Sequence, residues 1–316
     1  MKILVTGGAG FIGSHLVKRL LNEGFSVVCV DNFNNFYDPQ VKERNVKNFI
    51  NNPNFRLYRE DIRNFEVLSK IFERERIDKI VHLAAMAGVR NSIRCPSLYT
   101  EVNIPGTVNL LELAKKYKIS NFVFASSSSV YGGNKKVPFS EDDPVNYPIS
   151  PYAAAKKAGE LICYTYHHLY NLNITCLRFF TVYGPAGRPD MAPYKFTRLV
   201  LKGDKILMFG DGSSQRSYTY VDDIIEGISS ALDKELGYEI INLGGSELVS
   251  LKNFISLIEN ISGRKAKIKR ALEQPGDMPI TYADISKAKR LLNYAPRTNL
   301  EKGMTIFISW FKKYGK

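Results

Sequence analysis

The sequence is poor in cysteine and has no long hydrophobic run. It contains 4 cysteines in 316 residues, and none shows the CxxC or other spacing that is typical of metal sites. Cys29 and Cys176 lie in apolar runs, so we expect free thiols, no metal and a cytoplasmic protein. No stretch approaches the roughly 20 apolar residues of a membrane-spanning helix, so we expect no membrane partner. The apolar run at residues 3–5 is too short for a signal peptide and predicts a first strand.

Acidic residues are fewer than basic ones. The chain has 44 Lys and Arg against 31 Asp and Glu, a net charge of +13. Such a balance is compatible with nucleic acid, a membrane surface or a polyanionic small substrate. The basic residues are spread along the chain, without the basic arm or aromatic–basic motif of a nucleic-acid module. We therefore expect no nucleic-acid partner. A solvated basic surface is the simplest interpretation, and attraction of an anionic substrate is the main alternative.

Short apolar runs alternate with segments of helical periodicity in the first half of the chain. This alternation predicts βαβ units and a parallel sheet, hence an α/β fold. The candidate strands are residues 2–6, 26–31, 79–82, 122–125 and 175–179. The candidate helices are residues 14–22, 67–74, 106–115 and 152–170.

The pattern changes after about residue 181, where turn-rich pieces appear among helical segments. A helix–strand pattern at residues 221–232 and 238–243 could return to the main sheet. We therefore predict a Rossmann-type, doubly wound dinucleotide domain over residues 1–180, with residues 216–244 returning to it. Residues 181–316 would form mainly a smaller, discontinuous C-terminal α/β lobe. This lobe would bind substrate over the carboxyl edge of the sheet, where open α/β sheets bind their ligands.

A glycine-rich turn follows the first predicted strand. Gly7, Gly10 and Gly13 form a GxxGxxG pattern, and an apolar-periodic helix comes directly after it. Such a turn brings backbone N–H groups and a helix N-terminus against a pyrophosphate, with no Cβ in the way. The strand before it and the helix after it make this pattern indicative of dinucleotide binding. Phe11 and Ile12 belong to the same turn.

An acidic residue ends the second predicted strand. Asp31 lies about 20 residues past the glycines, where a carboxylate accepts hydrogen bonds from the adenosine ribose. The same charge would repel a 2′-phosphate, so we expect NAD rather than NADP. Further residues are expected beside the cofactor because they follow Asp31 or the ends of the next two strands: Asn32, Asp61, Ile62, Leu83, Ala84 and Ala85.

A tyrosine and a lysine stand four residues apart on a predicted helix. Tyr152 and Lys156 would share one helix face, and the ammonium, together with a positive nicotinamide, would lower the pKa of the phenol. Taken alone, this pair is equally compatible with an ordinary surface helix. Four serines, residues 126–129, stand at the end of a predicted strand upstream. One of their hydroxyls could bond the reacting sugar oxygen.

These motifs stand in the order of the extended short-chain dehydrogenase/reductase family, which the chain resembles along its whole length. The resemblance implies that Tyr152 is the acid/base and that Lys156 is its electrostatic partner and a ribose contact. Ser127 would assist proton movement, with Ser128 or Ser129 beside it. The resemblance also implies a homodimer through the helices around residues 106–116 and 152–170. The matching positions are Gly7, Gly10, Gly13, Asp31, Asp61, residues 82–85, Asn103, residues 126–132, Tyr152 and Lys156.

The serine strip bears on the type of reaction. Related dehydratases and decarboxylases carry an acidic residue just before the Val-Tyr-Gly motif, where this chain has Ser128 and Ser129. Without that carboxylate, oxidation followed by re-reduction is favoured over elimination. The resemblance therefore implies an epimerase that holds NAD tightly and regenerates it in every cycle.

Three segments, residues 31–39, 180–192 and 274–279, resemble the uronate 4-epimerases of this family. Thr181 stands where many relatives have Asn. The resemblance implies that Arg188 pairs with the carboxylate of a UDP-hexuronate, an anion that suits the planar fork of arginine. An arginine in a surface turn is the alternative interpretation. By the same resemblance, Arg216 contacts the diphosphate and Asp277 contacts the uridine ribose.

The resulting hypothesis is epimerisation of UDP-glucuronate to UDP-galacturonate through a 4-keto sugar. Tyr152 would take the proton of the C4 hydroxyl while the C4 hydride passes to NAD⁺. The ketone would turn about its diphosphate link and be reduced on its other face. Thr181 and Arg188 would hold the carboxylate in a conformer unsuited to loss of CO₂. The alternatives are a UDP-glucose/UDP-galactose 4-epimerase, a UDP-glucuronate decarboxylase, a non-catalytic NAD-binding protein and a basic RNA-associated protein.

Overall fold

Strands and helices alternate through the first half of the chain, as the sequence pattern predicts. The computed structural model describes residues 1–272 and 278–315. The elements in chain order are β1 (Lys2–Thr6), α1 (Phe11–Asn22), β2 (Ser26–Val30), α2 (Pro39–Val46), β3 (Phe55–Tyr58), α3 (Phe65–Glu75), β4 (Lys79–His82), α4 (Val89–Arg94), α5 (Pro96–Asn103), α6 (Pro105–Lys116), β5 (Asn121–Ser127), α7 (Pro151–Tyr170) and β6 (Ile174–Phe179).

The second half has shorter strands and several amphipathic helices. Its elements are β7 (Thr181–Tyr183), α8 (Ala192–Lys202), β8 (Lys205–Phe209), β9 (Gln215–Tyr220), α9 (Val221–Leu232), β10 (Tyr238–Leu243), β11 (Leu248–Ser250), α10 (Leu251–Ser262), β12 (Lys267–Ala271), β13 (Ile280–Thr281), α11 (Ser286–Leu292) and α12 (Leu300–Tyr314).

A seven-stranded parallel sheet forms the centre of the fold. Its strand order is β10-β6-β5-β4-β1-β2-β3, and every neighbouring pair is parallel. In this register Thr6 lies opposite both Val30 and His82. The segments that follow β1, β2 and β4 therefore leave the sheet side by side at one carboxyl edge, where such sheets bind ligands.

The two faces of the sheet bury alternate residues. Ile3 and Val5 of β1 enter one hydrophobic cluster, whereas Leu4 enters the other. This alternation follows from the two-residue period of a strand, and helices cover both faces as they do in parallel sheets. The first cluster continues into the C-terminal lobe, where it includes Phe254 of α10 and Phe307 of α12. The lobe and the sheet thus share one apolar core.

The chain returns to the main sheet after it has entered the lobe. β10 adds to the sheet beside β6, and α9 packs against α1 and β5. β9, by contrast, belongs to a lobe sheet, in which it pairs with β7, β11 and β13. A separate parallel pair joins β8 to β12.

The predicted Rossmann-type fold with a smaller C-terminal lobe is confirmed by this architecture and by the structural comparisons given below. The sequence pattern does not indicate α8, whose first residues lie in a stretch predicted to be rich in turns. Pro193 stands in the first turn of this helix, where a missing N–H is tolerated. Over the described ranges, no helix is both long and apolar enough to cross a bilayer.

Candidate active site

The glycine-rich turn after β1 is folded as tightly as its sequence predicts. Gly7 has φ +68°, and its N–H donates to the Val30 carbonyl at 2.7 Å. A Cβ on Gly13 would collide with the Gly7 carbonyl oxygen, and a Cβ on Gly7 would lie 2.8 Å from the Ala84 nitrogen. The first turn of α1 contains no acidic residue, so its N–H groups present an unopposed positive end that suits a phosphate.

One cleft opens at the carboxyl edge of the sheet. It brings together the glycine turn, the ends of β2, β4 and β5, the first turns of α7, and the turn after β7. The predicted site residues that line it are Gly7, Gly10, Phe11, Ile12, Gly13, Asp31, Asn32, Ile62, Leu83, Ala84, Ala85, Tyr152, Lys156 and Arg188. Elements far apart in the chain therefore meet at one cleft.

Asp31 is a buried carboxylate that is held from several sides. One oxygen accepts from the Ala9 N–H at 3.2 Å, and the other accepts from the Phe33 N–H at 2.9 Å and from the Lys42 ammonium at 3.1 Å. A carboxylate has about four acceptor positions, so room remains for a ribose hydroxyl. The sequence analysis does not identify Lys42, because no fixed spacing links a lysine of α2 to the end of β2.

Asp61 lies just outside the cleft. Its oxygens accept from the guanidinium of Arg63 at 2.9 Å and from the amide of Asn32 at 2.8 Å. Burial acts to raise the pKa of this carboxyl, but the bonds from Arg63 and Asn32 outweigh burial and bring the pKa to about 2. Its neighbours in sequence, Glu60 and Ile62, line the cleft. The structure thus places Asp61 as a brace for Asn32.

Helix α7 carries the tyrosine and the lysine to the end of β5. The helix begins after Ser150, whose hydroxyl accepts from the Ala153 N–H at 3.2 Å, and Pro151 occupies its first position. Gly159 lets the helix approach the sheet, since a Cβ there would collide with the ring of Phe124. Tyr152 stands in the first turn of this helix and lines the cleft.

Lys156 is 4% exposed, and its ammonium donates to the Ala125 carbonyl at 2.6 Å. Burial disfavours the charged form and lowers the pKa of Lys156 to about 8. The lysine is therefore a desolvated ammonium, aligned by the last residues of β5. Within the cleft it can donate further hydrogen bonds, because an ammonium has three donors.

The pKa of Tyr152 differs from the sequence-based expectation in the protein without cofactor. Burial raises this pKa, while a hydrogen bond with Ser127 and the positive charge of Arg188 act to lower it. The net result is a pKa above the ordinary value for tyrosine, so the side chain is a neutral phenol at pH 7. Burial thus outweighs the two interactions that lower this pKa, those with Ser127 and Arg188.

The serine strip divides its hydroxyls among different partners. Ser127 donates to the Ser129 hydroxyl at 3.0 Å and accepts from the Ser129 N–H at 3.1 Å, which closes the short 3₁₀ turn at Ser128–Tyr131. Ser126 donates to Glu160 at 2.6 Å. Only Ser126 of the four lines the cleft, and Ser127 reaches the reaction site through its bond with Tyr152.

Beneath the serine strip lies a buried ion pair that the sequence analysis does not predict. Glu160 of α7 accepts from Arg178 of β6 through two bonds of 2.8 and 2.9 Å. Both side chains are almost completely buried. The sequence gives no signal that pairs them, since they lie on different elements.

Arg188 lies in the turn between β7 and α8 and lines the cleft. Its guanidinium lies over the ring of Phe36, 5.3 Å from the ring centre, and forms an ion pair with Asp190. Phe36 and Tyr37, which line the same cleft, are missing from the sequence-based site. An aromatic pair in an otherwise polar segment after β2 is the signal that marks them.

Two other predicted substrate contacts, Thr181 and Arg216, do not line the cleft. Thr181 begins β7 and pairs with Tyr218 of β9. Arg216 lies on β9 and donates to the Gln215 carbonyl at 2.8 Å. Asp277 lies outside the described residues. In the part of the chain that the structure describes, no three His, Cys, Asp or Glu side chains are grouped so as to hold a metal ion.

Comparisons with known proteins identify similar sequences and structures. The GDP-mannose 4,6 dehydratase family model matches residues 4–307. A UDP-glucuronate 4-epimerase of Thermodesulfobacterium geofontis is 47% identical over 311 residues, covering 98% of this chain and 96% of the relative. The structure of a UDP-glucuronic acid 4-epimerase from Bacillus cereus, in complex with UDP-glucuronic acid and NAD, matches with a TM-score of 0.94 and 41% identity over 99% of each chain. A UDP-glucose 4-epimerase from Thermotoga maritima with UDP-glucose matches with a TM-score of 0.92 and 34% identity over 100% of both chains.

These matches extend over nearly the whole chain and include both the sheet and the lobe. The structural matches agree with the overall fold, the parallel sheet together with the lobe. The family predicted from the sequence is therefore confirmed: the chain belongs to the extended short-chain dehydrogenase/reductase family, among its nucleotide-sugar epimerases and dehydratases.

Proposed function

We propose that this protein is an NAD-dependent epimerase that inverts C4 of UDP-glucuronate to give UDP-galacturonate. One observation carries the proposal: Tyr152, Lys156, the glycine turn and Arg188 line the same cleft. A dinucleotide site, an acid/base and a cation suited to a sugar carboxylate are thus within reach of one bound ligand. The relatives described as UDP-glucuronate 4-epimerases support this substrate.

The residues present fit NAD. A Cβ would fill the turn at Gly7 and Gly13, so the backbone there can lie against a diphosphate. Asp31 remains a carboxylate acceptor beside that turn, which favours a free ribose hydroxyl over a 2′-phosphate. Bound NAD supplies the oxidising capacity, since it accepts a hydride from C4 and returns it.

Tyr152 moves the proton of the C4 hydroxyl in this proposal. Its phenol must first be ionised, which the cationic groups Arg188 and Lys156 and the hydrogen bond with Ser127 favour. Lys156 also binds the cofactor ribose, and Ser127, with Ser128 beside it, relays the proton. The strip contains no carboxylate, so the residues that would promote elimination are lacking at this place.

Arg188 binds the carboxylate of the uronate. Its guanidinium is planar and positioned by Phe36, so it can donate a pair of hydrogen bonds to a carboxylate. Thr181, Arg216 and Asp277 remain proposed contacts of the sugar, the diphosphate and the uridine ribose. We assign cofactor binding to residues 1–180 with the part of segment 216–244 that returns to the main sheet, α9 and β10. We assign substrate binding mainly to residues 181–316.

A UDP-glucose 4-epimerase is the second candidate. The Thermotoga maritima enzyme with UDP-glucose has a TM-score of 0.92 to this chain. Asp190 already balances the charge of Arg188, so an uncharged sugar can bind in the cleft without leaving Arg188 unpaired. The ratio of turnover with the two substrates distinguishes the candidates.

The decisive experiment incubates the purified protein with NAD and either UDP-glucuronate or UDP-glucose, and identifies the products by NMR. We expect UDP-galacturonate as the main product and no release of CO₂. Tyr152→Phe should lower turnover by a factor of about 100 to 10,000 while it leaves UDP-glucuronate binding intact. Tyr164→Phe, on the exposed side of the same helix, is the matched control. Undiminished turnover of Tyr152→Phe would refute the proposed acid/base.

We also propose that the protein is a cytoplasmic homodimer. All four cysteines are free thiols, which suits a reducing compartment. Helix α7 exposes several apolar side chains, and α6 and α7 are the helices through which the family resemblance implies dimer formation.

A further inference from the structure

The carboxylate-binding fork of Arg188 already holds a carboxylate from its own chain. Nε donates to Asp190 Oδ1 at 3.0 Å, and Nη2 donates to Asp190 Oδ2 at 2.6 Å. This is the two-bond geometry that an external carboxylate adopts on arginine. Asp190 thus occupies the side of the guanidinium that would serve a uronate best.

The location of the pair explains why a counter-ion is needed. The side chain of Arg188 is 21% exposed, and a largely buried cation without a partner is strongly destabilising. Asp190 is more exposed, at 37%, and lies only two residues further along the same turn. It can therefore release the guanidinium by a side-chain rotation, without movement of the backbone.

The surroundings also leave room for exchange. Gly88 has φ +101°, and a Cβ there would lie 3.4 Å from Nη2 of Arg188 and 3.8 Å from Oδ2 of Asp190. The glycine thus keeps the space beside the ion pair open. Phe36 supports the face of the guanidinium, so Arg188 can stay in place while its anionic partner changes.

We propose that Asp190 is the exchange partner of the substrate carboxylate on Arg188. This inference rests on the proposed function, in which the 4-keto sugar must turn over before it is reduced on its other face. This rotation of the 4-keto sugar carries its carboxylate away from Arg188. Asp190 then takes its place, so one ion pair replaces another and no unpaired buried cation is formed.

The exchange has a measurable signature. Asp190 competes with the uronate in the resting enzyme, and if it holds Arg188 in about nine molecules in ten, it weakens the apparent Kd about tenfold. Asp190 also stabilises the state in which the 4-keto sugar rotates, because it then pairs with Arg188. Removal of its charge should therefore tighten substrate binding and slow turnover together, because only the bound ground state is favoured.

The test measures Kd by calorimetry and kcat on the NAD-loaded Asp190→Asn variant with UDP-glucuronate. We expect both constants to fall by about tenfold, while the Kd of UDP-glucose, which has no carboxylate, stays unchanged. Asp190→Glu keeps the charge and should retain wild-type values of both constants more closely. Asp233→Asn is the matched control, since this carboxylate pairs with Lys79, far from Arg188, and its loss should change neither constant.

Arg188→Ala separates failure of this inference from failure of the proposed carboxylate role. If Arg188→Ala leaves the Kd of UDP-glucuronate unchanged, Arg188 does not bind the uronate and the proposed function loses that assignment. If Arg188→Ala weakens binding but Asp190→Asn weakens it too, Asp190 merely positions Arg188 and exchange is wrong. Tighter binding by Asp190→Asn with unchanged kcat also overturns the exchange, because turning would not need Asp190.

Discussion

At the scale of single residues, Lys156 shows how function opposes stability. An ammonium that is almost completely buried, with the Ala125 carbonyl as its acceptor, is destabilising compared with the same group in water. The lowered pKa of about 8, against 10.5 for an ordinary lysine, expresses this penalty. The same desolvation strengthens the interaction of the charge with anything bound in the cleft. A lysine at this position is thus useful to the reaction but unfavourable to the fold.

The pKa of Lys156 predicts how stability depends on pH. Between pH 8 and 10.5 the unfolded chain keeps a proton that the folded chain has lost, so the free energy of unfolding rises with pH across this window. Below pH 8 the buried charge of Lys156 lowers the free energy of unfolding by its full amount, on the order of 3 kcal/mol. Lys156→Met should therefore be inactive but more stable at pH 7 by roughly 1–3 kcal/mol, and the gain should vanish near pH 10.5.

Thermal unfolding of the cofactor-free proteins at pH 7 and pH 10 measures this gain. Lys116→Met, at an exposed position of α6, is the control and should shift the free energy of unfolding by less than about 0.5 kcal/mol at either pH. A Lys156→Met variant less stable than the wild type at pH 7 would show that the bond to Ala125 outweighs the buried charge.

At the scale of elements, the site depends on the attachment of α7 to the sheet. The Glu160–Arg178 pair links α7 to β6, and the bond from Ser126 to Glu160 adds the end of β5. Arg178 also lies over the ring of Tyr131, 4.8 Å from its centre. The helix with the proposed acid/base and the strand with the serine strip are therefore held by one buried polar network.

Loss of one charge of the Glu160–Arg178 pair should destabilise the protein more than loss of both. Glu160→Gln leaves Arg178 as an uncompensated buried cation and should lower the free energy of unfolding by about 3–5 kcal/mol. Glu160→Gln combined with Arg178→Met removes both charges and should regain part of that loss. Urea unfolding measures both variants. Glu43→Gln, which breaks the exposed pair with Arg59, should change stability by less than about 1 kcal/mol. Equal losses for the single and double variants would contradict this account.

At the scale of the whole molecule, helix α7 exposes several apolar side chains. Leu161 and Tyr164 of α7 are 55% and 50% exposed, and Leu169 and Tyr170 follow near the end of the same helix. Leu98 of the neighbouring α5 is exposed as well. A run of exposed apolar side chains on packed helices is typical of an interface between subunits.

The proposed dimer can be tested at this face. Leu161→Lys places a charge in the apolar face and should convert the dimer to a monomer, because an unpaired charge is disfavoured in a buried interface. Light scattering coupled to size-exclusion chromatography gives the mass of each form. Ile306→Lys, an exposed apolar position of α12, is the control and should leave the mass unchanged. A wild-type protein that is monomeric would refute the dimer itself.

Local chemistry explains why much of this protein was predictable from its sequence. The turn at Gly7 and Gly13 needs residues without a Cβ, and no other residue type satisfies it. Asp31 follows from the length of one βα unit, and Tyr152 and Lys156 share a face because of the helical repeat. The short lobe strands β7 and β9 have no such local signal, since their pairing depends on neighbours brought from elsewhere in the chain.

The sequence by itself determined the sheet, the glycine turn and the two residues on α7, because each depends on spacings within one element or between successive ones. Only the tertiary structure decided which charges meet. Lys42 reaches Asp31, Arg178 meets Glu160, and Arg188 comes to line the same cleft as the glycine turn. Such pairs join separate elements, so their geometry and their pKa values depend on packing and burial, which no local pattern of residues encodes.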